Sequence, residues 1–134
     1  MKNKKGINFI ILILTVAVLS LRLRFLILRL IEFNIQQNEQ EAQNNLKLIS
    51  TALGNYAREH LGNYPKNFSD LLKADPAYLD RDYIGNSPIR GYNYSCEITE
   101  LGFSCSAIPL RCGLSGNRIF KISLGGLTTE ECKK

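Results

Sequence analysis

Between Ile7 and Leu21 the sequence INFIILILTVAVLSL carries no charged side chain. A short tip precedes it, with lysines at positions 2, 4 and 5. A basic tip followed by an apolar run reads as a signal peptide or a membrane anchor. The stretch Ala17-Val18-Leu19 is a poor cleavage site and Arg22 follows closely, so the segment is expected to stay on the protein. Fifteen residues rise about 22 Å as a helix, short of a hydrocarbon core of roughly 30 Å. Continuing to Ile31 supplies the length and takes in Arg22, Arg24 and Arg29. On a helix Arg22 and Arg29 share a face and Arg24 points elsewhere. Glu32 stands three residues beyond Arg29, where an ion pair is expected. The lysines orient the tip to the cytoplasm. The expectation is a single pass through the cytoplasmic (inner) membrane, with the later residues in the periplasm or extracellular space.

The net charge of +5 invites a nucleic-acid reading, but its distribution argues against one. Residues 1–33 carry the whole excess, and the rest of the chain holds 11 basic and 11 acidic side chains. Charge placed around an apolar run suits topology and lipid headgroups better than a nucleic-acid face.

From Phe33 to about Leu61 the apolar positions Ala42, Leu46, Ile49, Leu53 and Tyr56 recur at three- and four-residue steps. They predict one amphipathic helix continuing the first, with Gln, Asn, Glu, Lys and Arg on its other face. Gly62 is a natural cap and Pro65 a stop. Residues 62–91 read as irregular, with a short helix capped by Asn67 or Ser69. Three strands follow, at Tyr92–Thr99, Phe103–Leu110 and Arg118–Leu124, with a short fourth over Leu127–Thr129. The predicted fold is α+β: a long N-terminal helix packed on a small antiparallel sheet of three to four strands. The expected divisions are 1–6 (basic tip), 7–31 (transmembrane helix), 32–61 (amphipathic helix), 62–91 (loop) and 92–134 (sheet).

The four cysteines, Cys96, Cys105, Cys112 and Cys132, all lie in the last third. An even number behind an export signal predicts two disulfides in an oxidising compartment, and no pair has the CxxC spacing of a zinc site. Four cysteines allow three pairings. If Glu100 and Leu101 are the hairpin loop, Cys96 faces Cys105, which leaves Cys112 for Cys132. A one-residue slip in register would undo that pairing.

Converging catalytic groups are scarce. His60 is the single histidine and sits near a helix C-terminus, where a surface role suits it. Asp75, Asp80 and Asp82 match no calcium-loop spacing and read as a solvated loop. The six tyrosines read as core and rim packing rather than an adhesive face. No enzyme activity, cofactor, metal, nucleic acid or small-molecule substrate is indicated.

The order of parts resembles the type IV pilin and type II secretion pseudopilin superfamily. The resemblance rests on Lys4-Lys5-Gly6 before the apolar run and on EAQNNLKLISTALGNYAREHLGNYP with its Gly62-Asn63-Tyr64-Pro65 exit. It extends to the tail, where GYNYSCEI, FSCSAIP and CGLSGNRIFKISLGGLT follow one another. It implies cleavage by a prepilin peptidase between Gly6 and Ile7, and packing of the N-terminal helix against other pilin-like subunits. Members usually carry Glu at the fifth mature position, and Ile11 stands there in this chain. That departure implies a minor or atypical subunit.

Overall fold

A computed structural model describes residues 4–133. Positions 1–3 of the basic tip, and Lys134 at the end of the expected sheet region, lie outside the described residues. The order of elements is helix α1 (Lys4–Glu59), helix α2 (Asp70–Lys73), and strands β1 (Tyr92–Thr99), β2 (Gly102–Pro109), β3 (Arg118–Ser123) and β4 (Gly126–Glu131). The fold is α+β: one long N-terminal helix packed on a four-stranded antiparallel sheet of order β1-β2-β3-β4. The chain divides into two compact units between Phe33 and Asn34.

In the second unit, α1 buries Ile35, Ala42, Leu46, Ile49, Ala52, Leu53 and Ala57. The three- and four-residue spacing of these positions places them on one face. The sheet answers with the inward side of each strand. Tyr92 and Tyr94 come from β1, Phe103, Cys105 and Ala107 from β2, and Phe120 and Ile122 from β3. Period-two alternation puts these on the helix side, and Ser95, Ser104, Ser106, Lys121 and Ser123 on the other. The irregular segment also contributes to the core, through Leu71, Leu79 and Tyr83.

The helix ends in two left-handed residues, Leu61 and Gly62. The N–H of Gly62 turns back to the Ala57 carbonyl at 2.7 Å, which satisfies one of the carbonyls orphaned at a helix end. Pro65 follows and is buried. Ser69 precedes α2, but its side chain makes no capping bond. The Asp70 carboxylate instead accepts from the N–H of Asn67 at 3.2 Å and closes that turn.

Strand β4 is longer than the expected Leu127–Thr129 and pairs with β3 along all six residues, from Ser123 opposite Gly126 to Arg118 opposite Glu131. The weak local signal of GLTTEE is overridden by cross-strand pairing. Leu127 meets Ile122 across the ladder, and the Lys121 ammonium donates to the Glu130 carboxylate at 2.9 Å.

Candidate membrane and assembly segment

The first unit consists of α1 alone, from Lys4 to Phe33. Its apolar side chains, from Ile7 through Leu30, are exposed on every side. This helix is long and apolar enough to cross a membrane. Its two hydroxyls do not spoil that character. Thr15 donates to the Leu12 carbonyl and Ser20 to the Ala17 carbonyl, each at 2.8 Å, so both are satisfied within the helix.

Arg22, Arg24 and Arg29 are all exposed. None has a carboxylate partner among the described residues. The expected ion pair between Arg29 and Glu32 is not made. Side chains on a helix lean toward its N-terminus, so Arg29 lies back over the Phe25 ring, 5.3 Å from its centroid, rather than forward to Glu32.

Magnitudes limit where such arginines can sit. At the centre of a spanning helix each costs about 2.5–3.5 kcal/mol, whereas a Leu, Ile or Phe returns only about 0.3–0.6 kcal/mol. Drawing Arg22 and Arg24 into the hydrocarbon therefore costs about 5–7 kcal/mol. Immersing the six apolar residues of Phe25–Ile31 recovers at most about 4 kcal/mol.

Gly6 and Ile7 adjoin one another inside α1, and both are exposed. Nothing lies within 4 Å of where a Cβ on Gly6 would stand. Ile11, also exposed, lines a shallow groove along the helix with Leu14, Thr15, Val18, Leu19 and Arg22.

The four cysteines form two disulfides, Cys96–Cys105 and Cys112–Cys132. Thr99 pairs with Gly102 and Cys96 with Cys105, the register in which Glu100 and Leu101 form the loop. The first bond faces the core, where Cys105 is fully buried. The second spans a sequence separation of 20 and ties the end of β4 to the turn before β3. The Cys132 N–H adds a bond to the Asn117 carbonyl at 2.8 Å.

The remaining polar candidates are engaged by near neighbours in the chain. The His60 ring stacks on Tyr56 at 3.9 Å, with its Nδ1 2.8 Å from the Tyr56 carbonyl oxygen. The Asp82 carboxylate accepts from the N–H groups of Ile84 and Gly85, and Asp80 accepts from the Tyr83 hydroxyl. Tyr83, Tyr92 and Tyr94 are core residues, while Tyr56, Tyr64 and Tyr78 pack at its rim.

Polar ties between helix and sheet were not legible in the apolar pattern. Glu39 and Asn45, expected on the outer face, are buried. Glu39 stands four residues after Ile35 and three before Ala42, which is on the buried stripe itself. Its carboxylate accepts from the Asn117 N–H at 2.8 Å and lies 3.8 Å from the Arg118 guanidinium. Asn45 donates to the Tyr94 hydroxyl at 3.0 Å, and Asn38 to the Ser115 carbonyl at 3.0 Å. Burial pushes the Tyr92 and Tyr94 phenols above the usual tyrosine range. The nearby Glu39 carboxylate adds to the effect at Tyr92, and the Asn45 hydrogen bond opposes it at Tyr94.

No protein-family model, curated protein or solved structure matches the chain.

Proposed function

We propose that the chain is a pilin-like structural subunit, of minor or atypical kind. It would serve a type IV pilus, a type II secretion pseudopilus or a related envelope assembly. One observation carries the reading: a single helix, apolar on all sides at first, continues into a stretch that packs one stripe on a disulfide-stapled antiparallel sheet. In this reading the protein works by assembly rather than turnover. The apolar part of α1 is held in the inner membrane with its N-terminus on the cytoplasmic side, and it packs against the helices of other subunits. The sheet stands in the periplasm or extracellular space, where its disulfides form. A prepilin peptidase is the processing partner, cutting between Gly6 and Ile7.

A second reading is a single-pass anchor that stays uncleaved and presents the outer unit as a binding domain. Ile11, at the position where a pilin carries its glutamate, favours it. Expression with and without a prepilin peptidase separates the two. Under the first reading, mass spectrometry finds about six residues lost and a new N-terminus at Ile7 only when the peptidase is present. An intact N-terminus in both cases assigns the chain to the second.

A further inference from the structure

The expected membrane segment, residues 7–31, contains three arginines that no carboxylate among the described residues neutralises. Their depth follows from helix geometry. From Gly6 to Arg22 an upright helix rises about 24 Å, and arginine side chains snorkel a few ångströms further. Arg22 and Arg24 thus reach the far edge of a hydrocarbon core of roughly 30 Å. Arg29 stands about 35 Å from Gly6, and still about 32 Å with an ordinary tilt of about 20°, which is beyond that edge. Drawing Arg22 and Arg24 inward costs more than the apolar residues of Phe25–Ile31 recover, which favours the same depth.

The arrangement around the axis indicates what meets these charges. Arg22 and Arg29 share one face, while Arg24, about 200° round from Arg22, lies on the other side. One neighbouring helix covers one face of α1, whereas lipid surrounds the anchor before it is assembled with other subunits.

We propose that Arg22, Arg24 and Arg29 form a collar that binds lipid phosphates at the distal membrane interface. The collar sets the depth of the helix, so that only Ile7–Leu21 crosses the hydrocarbon and Phe25–Ile31 lies at headgroup level. The proposal rests on the reading of α1 as a membrane anchor and assigns that anchor its partner chemistry and its insertion depth.

The chain contains no tryptophan, so a single introduced one reports depth without background. The full chain carrying Leu14→Trp or Leu28→Trp is reconstituted in phosphatidylethanolamine–phosphatidylglycerol vesicles with chain-brominated lipid. At Leu14 the reporter is expected to be strongly quenched by deep bromines. At Leu28 it is expected to be several-fold less quenched by them and open to aqueous iodide. Adding Arg22→Leu and Arg24→Leu should bring the quenching at Leu28 close to that at Leu14, as the helix slides inward.

Equal deep quenching at both positions in the otherwise unaltered chain overturns the proposal. So does a Leu28→Trp signal that the arginine replacements leave unchanged. If bromines quench neither reporter, the anchor reading itself fails.

Discussion

At the scale of single residues, Glu39 is a polar side chain that ties the helix to the start of a strand. It is buried on the core stripe and accepts from the Asn117 backbone at the entrance to β3. Removing the carboxylate takes away the partner of that N–H in a part-buried site, and a hydrogen bond to a charged group contributes about 1.5–3 kcal/mol, less where water can replace it. Its ion pair with Arg118 is less important, because the arginine side chain is 57% exposed and solvent screens the attraction. Glu39→Ala is therefore expected to lower unfolding stability by about 1–3 kcal/mol, and Arg118→Ala by less than about 1 kcal/mol. Urea titration of the detergent-solubilised chain, followed by circular dichroism, checks the pair. Equal losses from the two variants would show that the ion pair, not the backbone bond, is what Glu39 contributes.

At the scale of elements, β4 has the least support from its own side chains. Five of its six residues are exposed, and Leu127 is partly buried. It is held by its ladder with β3 and by the bond from Cys132 to Cys112. In the chain-entropy model, closing a loop of about twenty residues contributes roughly 3 kcal/mol. The double variant Cys112→Ser, Cys132→Ser is expected to lose about that much stability. It should also speed amide hydrogen exchange in β4 ahead of β1 and β2, because local opening follows the weakest packing. Exchange accelerated evenly over all four strands would show that the bond supports the whole sheet and not its edge.

The hairpin shows how much of an element local sequence can carry. With Glu100 and Leu101 as the loop, the alternation of YNYSCEIT and GFSCSAIP allows one register that buries both hydrophobic sets, and in that register Cys96 meets Cys105. The short helix α2 lacks such redundancy. Its sequence offers Asn67 or Ser69 as a cap, and the turn is closed by neither side chain but by the Asp70 carboxylate.

At the scale of the whole molecule, the core holds titratable groups that respond to alkali. Tyr92 donates to the Arg118 carbonyl at 2.9 Å, and Tyr94 accepts from Asn45, both within the interface between helix and sheet. Their folded pKa values are raised, chiefly by burial, above the unfolded value of about 10. The stability linked to them is fully present below pH about 10. It is lost as pH rises from there toward the folded values, because the unfolded chain releases these protons first. The urea midpoint is expected to be level from about pH 7 to 9 and to fall above about pH 10, with Tyr92→Phe reducing the fall. A midpoint that stays level through about pH 11 would contradict the burial of these phenols.

The sequence by itself determined those features whose cause is local and periodic. A charge-free run after a basic tip makes an apolar helix, three- and four-residue spacing marks the face that packs, and two-residue alternation marks the strands. Tertiary structure alone decided which polar residues those faces take in. Glu39 and Asn45 look like solvent positions in the sequence, and they are buried because residues far along the chain, Asn117 and Tyr94, supply their hydrogen bonds. The same holds for Leu71, Leu79 and Tyr83, which belong to an irregular segment and join the core only through contacts distant in sequence. Local propensity is carried by neighbours in the chain, whereas burial depends on neighbours in space, and only folding brings the latter together.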